Sequence, residues 1–85
     1  MMEVTLHLFA KARELVNSEK VILHLQEEAM SYDLLQTLKK SYPEFSDQFV
    51  SKCRLACEGR YIADLFSHMV NPEKHYVLIP PISGG

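Results

Sequence analysis

The chain has little of what marks a disulfide scaffold, a membrane span or a nucleic-acid-binding surface. Only two of its 85 residues are cysteine, and no apolar run approaches the roughly 20 residues of a membrane span. Nine lysines and arginines against eleven acids give a formal net charge of −2, without the basic excess of most nucleic-acid binders. The opening residues Met1-Met2-Glu3 do not begin a basic region followed by an apolar stretch, so we expect no secretory signal. We therefore expect one cytosolic domain that contacts neither nucleic acid nor membrane.

The first part of the chain predicts a pair of strands with a short helix between them. Apolar and polar residues alternate over 3–9 and over 21–26, as in half-buried strands. Good helix formers occupy 10–16, and Asn17-Ser18 ends the helical segment. Strands this close in sequence should pair antiparallel. His7 and His24 would then lie near each other on the outer face of the sheet, as solvated side chains.

A longer helix is predicted next. Ser31 is the expected N-cap, and Asp33 in the first turn suits the helix dipole. Four apolar residues then share one helical face: Leu34, Leu35, Leu38 and Tyr42. Pro43 ends this helix, and the spacing of Phe45 and Phe49 predicts a further short helical piece.

The remaining segments predict three more strands. Residues 53–57 alternate, Tyr61-Ile62 form a short returning strand after a turn at Gly59, and 75–79 are strongly apolar. Pro80-Pro81 end the last strand because proline cannot continue a ladder. Cys53 and Cys57, four apart on one strand, cannot bridge each other, so we expect both thiols to pack in the core.

This element order predicts an α+β fold. One main helix packed across a mixed sheet covers one apolar face, and a right-handed crossover places the first and last strands side by side in the middle. That is the ubiquitin-like β-grasp arrangement. We predict a β-grasp domain over 1–81 and a flexible C-terminal Gly-Gly tail over 82–85.

The tail is the most informative feature of the sequence. Two of the three glycines are Gly84 and Gly85, and they follow the Pro80-Pro81 stop closely. We expect a slim segment that can thread a narrow channel in another protein. A carboxylate reacts there only after activation, for example by adenylation. Sulfur transfer would then give a thiocarboxylate and amine attack an amide, and the glycines alone do not separate these outcomes. No glycine-rich phosphate loop is present, so a partner should bind the ATP.

Two motifs carry a family resemblance. Residues 9–15 fit F-A-x-x-R-E-L, and residues 80–85 fit P-P-[VI]-[ST]-G-G. With these motifs the chain resembles the small, sulfur carrier subunits of molybdopterin synthase, the MoaD/ThiS-like β-grasp family, over nearly its whole length. Two segments differ from the common family pattern: Cys57-Glu58 replaces Val-Asn, and Asn71-Pro72-Glu73 replaces Gly-Asp-Glu.

The resemblance implies a role in molybdenum cofactor biosynthesis. Gly85 would be adenylated by an E1-like enzyme, converted to a thiocarboxylate (1-thioglycine), and used to donate sulfur to cyclic pyranopterin monophosphate, which forms the molybdopterin dithiolene. Gly84 would be its slim neighbour. The chain would be no enzyme on its own but the sulfur-donating subunit of a sulfurtransferase complex. No metal and no stably bound cofactor are implied, and the activating enzyme consumes the ATP.

Two partners are implied: the large synthase subunit, in a heterotetramer, and the E1-like adenylyltransferase and sulfurtransferase. The resemblance assigns Pro80, Pro81, Ile82 and Ser83 to the partner's channel. If Tyr76 and Leu78 face the helix, other apolar residues face outward: Val77, Ile79, Phe9 and Ile22. This outer patch is either a partner site or shielded by loops, and the sequence leaves both interpretations open.

Three alternative functions stay open. The chain could be a sulfur carrier for thiamine or transfer-RNA thiolation, or a ubiquitin-like modifier attached to lysines. It could also be a non-catalytic binding module that uses the outer sheet face. A residue added after Gly85 would abolish carrier function but leave a binding module intact.

Overall fold

The computed structural model describes residues 1–82, which form a five-stranded sheet and three helices. The strands are β1 (Met2–Leu8), β2 (Lys20–Leu25), β3 (Arg54–Cys57), β4 (Arg60–Tyr61) and β5 (Tyr76–Ile79). The helices are α1 (Ala10–Val16), α2 (Ser31–Ser41) and α3 (Asp47–Ser51). The strand order is β2-β1-β5-β3-β4, with β1 and β5 parallel and the other pairs antiparallel. The predicted β-grasp arrangement, with first and last strands adjacent, is confirmed.

The register of β1 and β2 follows from their alternating sequences. Val4, Leu6 and Leu8 are each at most 2% exposed, and the β2 residues opposite Val4 and Leu6 are Leu23 and Val21. A slip by one residue would turn this apolar row toward water, so burial fixes the pairing. The strands are joined through α1, which ends at Asn17 in the left-handed conformation (φ 50°).

Helix α2 packs across one face of the sheet and completes the core. Leu34 and Leu38 are fully buried, in one apolar cluster with Tyr76 and Leu78 of β5. The condition considered in the sequence analysis, that Tyr76 and Leu78 face the helix, is therefore met. Each such side chain contributes roughly 1.5–3 kcal/mol by its burial, so β5 is held firmly on its inner side.

The start of α2 differs from the prediction. Met30, not Ser31, is the N-cap, and Ser31 is a fully buried residue of the first turn. The segment 65–68 lies against this end of the helix, where the Ser31 N–H donates to the His68 carbonyl at 2.8 Å. This hydrogen bond from a distant segment gives the Ser31 N–H an acceptor at the start of the helix, where a capping side chain would otherwise provide one. Asp33 accepts the Met30 N–H at 2.8 Å, as a first-turn acid can.

Other boundaries shift by one or two residues. The Cys53 N–H donates to the Val50 carbonyl at 3.0 Å, which ties Cys53 to the end of α3 and leaves β3 to begin at Arg54. Phe45 is buried ahead of α3 rather than within it, because the Ser46 hydroxyl caps that helix through the Phe49 N–H at 3.1 Å.

Candidate functional site

The base of the tail is the C-terminal end of β5. This strand lies between β1 and β3 and pairs with both. Pro80 is buried, Pro81 is exposed and Ile82 is 95% exposed. Because proline lacks the N–H that a ladder requires, the chain leaves the sheet at this point. The path from a buried central strand to an exposed isoleucine spans only three residues.

The proposed reacting residue lies beyond this base. Ser83, Gly84 and Gly85 are outside the described residues. The predictions that Gly85 carries the chemistry, that Gly84 is its slim neighbour, that Ser83 contacts a partner and that 82–85 form a flexible tail all remain predictions.

Phe9 and α1 lie beside the base of the tail. Leu8 pairs with Leu78, so Phe9 and Ile79 follow side by side. Phe9 is 54% exposed and extended, whereas Ala10 has a φ of 49°. A left-handed alanine is uncommon because its Cβ crowds the backbone. The turn directs the chain from β1 into α1 and leaves the phenyl ring of Phe9 at the surface.

The outer apolar patch is smaller than the sequence analysis predicted. Val77 lies on the outer face but is only 8% exposed, and Ile79 is half-buried. Val77 lies between His7 of β1 and Ala56 of β3 in the pairing register, so neighbouring strands flank it on both sides. Phe9 and Ile22 remain the exposed members of the predicted patch, with Ile22 38% exposed. Val77 is therefore shielded, although by the neighbouring strands and not by the loops that the sequence analysis considered.

Arg54 and Tyr61 extend the outer face toward the sheet edge. The guanidinium carbon of Arg54 lies 5.0 Å from the centre of the Tyr61 ring, within cation–π distance. Arg54 also pairs with Ile79 in the β3–β5 register. A cation therefore sits near the strand residue that precedes Pro80.

A pair of stacked histidines borders the same face. The rings of His7 and His75 have centroids 4.1 Å apart at an interplanar angle of 29°. The His75 N–H donates to the Glu58 carboxylate at 2.5 Å, and the Glu58 N–H donates to the His75 carbonyl at 3.0 Å. Burial, and then the charges of His75 and Lys20, lower the pKa of His7. His7 is therefore neutral at pH 7.

The predicted proximity of His7 and His24 is wrong. The register places Lys20 opposite His7 and Glu3 opposite His24. His24 contacts Glu3, with 3.5 Å between Nε2 and a carboxylate oxygen. The two histidines are four pairing positions apart along β1 and β2, too far to share a ligand.

The sequence analysis assigned no contact to Arg54, Glu58 or His75. For Glu58 a signal was present, since Glu58-Gly59 separates two short strands. The φ values of Glu58 and Gly59, 52° and 81°, are those of a type I′ hairpin turn. The contact of Glu58 with His75 joins segments 17 residues apart, and no local pattern reports it.

Both cysteines are free thiols, and both pack against the core as predicted. The Cys53 thiol donates to the Phe49 carbonyl at 3.4 Å, and burial raises its pKa to about 11. Cys53 is therefore protonated at neutral pH and a weak nucleophile. Residues 1–82 contain no group of three or more His, Cys, Asp or Glu side chains placed to hold a metal ion. Within the same range, no helix is both long and apolar enough to cross a membrane.

Comparison with known proteins identifies the family. The ThiS family profile matches residues 6–85. The chain is 32% identical over 79 residues to a molybdopterin synthase sulfur carrier subunit from Dictyostelium discoideum. The aligned region covers 92% of this chain and 91% of the relative.

Solved structures share the fold. SAMP1 from Haloferax volcanii superposes with a TM-score of 0.83 at 22% identity, covering 99% of this chain and 100% of that one. A chain from the protein–protein complex of subunits 1 and 2 of molybdopterin-converting factor from Helicobacter pylori 26695 superposes with a TM-score of 0.65 at 17% identity, covering 99% and 100%. At such low sequence identity, the structural similarity shows a shared fold and not a shared function. Together with the family match, they show that the chain belongs to the ThiS family and has the ubiquitin-like β-grasp fold that its element order predicted.

Proposed function

We propose that this chain is the sulfur carrier subunit of a molybdopterin synthase. The observation that carries the proposal is the exit of the chain from the middle of the sheet. Pro80-Pro81 follow a buried strand and lead to Ile82, which is 95% exposed, from which the sequence runs to Gly84-Gly85. The family match and the 32% identity to a sulfur carrier subunit support the same function.

The proposed chemistry takes place on Gly85. In an E1-like enzyme, a carboxylate oxygen of Gly85 attacks the α-phosphorus of ATP, pyrophosphate leaves, and a glycyl adenylate forms. The sulfur atom of a hydrosulfide-level donor then attacks the carbonyl carbon and AMP leaves, which gives the thiocarboxylate. Two such sulfur atoms are donated in turn to cyclic pyranopterin monophosphate to build the dithiolene, and each time water restores the carboxylate of Gly85. The chain supplies a reagent, and its partners supply the pockets and the catalytic groups.

The proposed partners are the E1-like enzyme and the large synthase subunit, the latter in a cytosolic heterotetramer. The structure of a complex between subunits 1 and 2 of molybdopterin-converting factor from Helicobacter pylori supports the second partner. One chain of that complex has the fold of this chain. We assign seven residues to partner contact: Pro80, Pro81, Ile82, Ser83, Ile79, Val77 and Phe9. Among them Phe9, Pro81 and Ile82 have the exposure for direct contact, whereas Val77 is only 8% exposed.

The test is an intact-mass spectrum with a C-terminal peptide map. The full chain is incubated with an E1-like enzyme, ATP and a sulfur donor, beside a variant that lacks Gly85 and one with an alanine added after Gly85. We expect one oxygen to be replaced by sulfur at Gly85 in the parent and in neither variant. An unmodified parent, with an enzyme active on its own carrier, would contradict the proposal.

Further incubation of the same samples, with the large synthase subunit and cyclic pyranopterin monophosphate or with a cell extract, separates the alternatives. Sulfur on Gly85 without dithiolene formation by the synthase would indicate a carrier for thiamine or transfer-RNA thiolation. Amide bonds from Gly85 to lysines would indicate a ubiquitin-like modifier, the function that the name of the structurally similar small archaeal modifier protein suggests. Partner binding that survives the added alanine, without sulfur uptake, would indicate a binding module.

A further inference from the structure

A cavity of about 440 Å³ opens at the edge of the sheet beside Arg54, the first residue of β3. Strand β4 is two residues long and pairs with Ala56 and Cys57. Beyond it, the Ile62 N–H donates to the Leu55 carbonyl at 2.9 Å. Within the part of the chain that the structure describes, no strand residue pairs with Arg54 on this side. The sheet therefore ends early here, and we call the space beside it the edge cavity.

The described residues that form the walls of the edge cavity are apolar apart from Arg54 and Tyr61. The larger apolar side chains come from α2, β3 and the segments that flank β3 and β4: Leu35, Cys53, Leu55, Ile62 and Leu65. Three of them, Cys53, Ile62 and Leu65, are only partly buried. An apolar group that enters the cavity removes their exposed surface from water, which favours binding. The cavity therefore fits an apolar side chain of a partner.

Among the described residues that line the edge cavity, Arg54 is the one that carries a charge. None of the ion pairs within residues 1–82 includes it. Glu58 and Asp64, the acids that follow it in sequence, line a different cavity. Asp47, which precedes it, lies 2.9 Å from the Lys39 ammonium. A carboxylate of another molecule can therefore pair with the Arg54 guanidinium without displacing one of these acids.

The guanidinium of Arg54 is held in place by an aromatic ring. Its central carbon lies over the ring of Tyr61, 5.0 Å from the ring centre. A guanidinium over an aromatic face keeps a fork of N–H donors that matches the two oxygens of a carboxylate. A cation that is arranged in advance also loses less conformational entropy when it binds. The edge cavity thus joins an apolar pocket to a prepared carboxylate-binding group.

The edge cavity lies beside the base of the tail. Arg54 pairs with Ile79 in the β3–β5 register, and neighbouring strands are about 5 Å apart. Ile79 directly precedes Pro80, where the chain leaves the sheet. A partner that receives the tail therefore comes within reach of Arg54. Of the two proposed partners, the large synthase subunit is the one supported by a known complex of a protein with this fold.

We propose that the edge cavity is a docking site for the large synthase subunit. That subunit places an apolar side chain against Ile62 and Leu65 and a neighbouring carboxylate on Arg54. This rests on the proposed function, because it takes the large subunit as the protein that receives the tail. It adds a second contact, which fixes the partner beside Ile79 while the tail extends into the channel. Activation of Gly85 by the E1-like enzyme does not require this contact.

The first test is a calorimetric titration of the cognate large subunit with the full chain at two salt concentrations. Arg54→Gln removes the cation from an exposed side chain, and we expect about tenfold weaker binding, as for the loss of one charged partner of a hydrogen bond. Arg54→Lys should recover part of this loss, and the difference between Arg54→Gln and the parent should shrink as salt is raised. Arg60→Gln, at an exposed arginine that lines a different cavity, is the matched control and should bind as the parent does.

Methyl NMR of the full chain locates the contact. The isoleucines of the sequence are Ile22, Ile62, Ile79 and Ile82, so one labelling scheme reports on the outer face, the edge cavity and the base of the tail. On addition of the unlabelled large subunit, we expect the Ile62 methyl resonance to shift together with those of Ile79 and Ile82. In Arg54→Glu the same shift of Ile62 should need a higher concentration of the subunit.

The outcomes separate this inference from the proposed function. Binding that shifts Ile79 and Ile82 but not Ile62, or equal affinity for Arg54→Gln and Arg60→Gln, would overturn the docking site and leave the proposed function standing. An Ile62 shift that grows with the concentration of the chain alone would indicate a second copy in the cavity and would equally overturn it. A parent that neither takes up sulfur at Gly85 nor binds the large subunit would refute the proposed function, and the docking site with it.

Discussion

The two ends of β5 contrast sharply. At the first end the backbone of His75 is bonded to Glu58, and the Tyr76 hydroxyl accepts the Asn71 N–H at 2.9 Å and lies 3.0 Å from His68 Nε2. At the other end Pro80 and Pro81 stop the ladder within two residues of a fully buried leucine. The strand is thus anchored where it enters the sheet and released where it leaves.

The contrast shows how a small domain can present a tail. A reacting group at the end of a slim segment reaches its target reproducibly only if the segment starts from a fixed point. The anchored end provides that point, and the prolines limit the directions in which the chain can depart. Changes at the released end should therefore affect reactivity without affecting stability, and changes at the anchored end should do the reverse.

The largest expected effect is at the released end. Gly84→Val adds a branched side chain beside the reacting residue, and a channel shaped for glycine would misplace the carboxylate. We expect sulfur uptake at Gly85 to fall by about 100-fold or more, with an unchanged free energy of unfolding. Rates from mass spectrometry and urea unfolding measure the two quantities. Ala63→Val, at an exposed alanine away from the tail, is the matched control, and equal rates in both variants would refute the prediction.

A smaller effect is expected at the anchored end. Tyr76→Phe removes the hydroxyl that accepts the Asn71 N–H, while the fully buried ring keeps its shape. Losing one partner of a partly buried hydrogen bond should lower the free energy of unfolding by about 1–3 kcal/mol. Sulfur uptake under native conditions should be unchanged.

Urea denaturation of Tyr76→Phe beside Tyr61→Phe checks this. Tyr61 is 59% exposed, so its variant should stay within about 0.5 kcal/mol of the parent. A loss of sulfur uptake in stably folded Tyr76→Phe would show that the two ends are not independent.

The smallest expected effect concerns pH. Burial and the neighbouring charges of His75 and Lys20 lower the pKa of His7 in the folded protein. The unfolded chain, with a histidine pKa near 6.5, therefore binds a proton before the folded one does. The contribution of His7 to the free energy of unfolding should be constant above about pH 6.5 and should fall as the pH drops below that value. It should level off once the pH is below the pKa of His7 in the folded protein.

This dependence is measured by urea unfolding across that range, with His7→Gln as comparison. The variant should lose part of the acid-side slope, and an NMR titration should give His7 a midpoint below 6.5. An identical slope in both proteins would argue against a role for the histidine stack in stability.

Several features of the fold were predictable because they follow from local periodicity. The alternation in β1 and β2 and the stripe of α2 each reflect which side of one element meets the core. The N-cap of α2 was not predictable, since the carbonyls of Leu65 and His68 reach it from a distant segment. The near-burial of Val77 was missed for a similar reason: alternation tells which face a residue is on, but not what its neighbours cover.

The candidate site divides in the same way. The sequence by itself determined the β-grasp element order, the proline stop after the last strand and the motifs that led to the ThiS family, because these depend on residues adjacent along the chain. Only the tertiary structure decided that Glu58 and His75 anchor one end of β5, that His7 meets His75 rather than His24, and that Tyr32 and Phe66 stack. Those contacts join residues far apart in sequence, and the pairing register and the packing of loops against α2 bring them together.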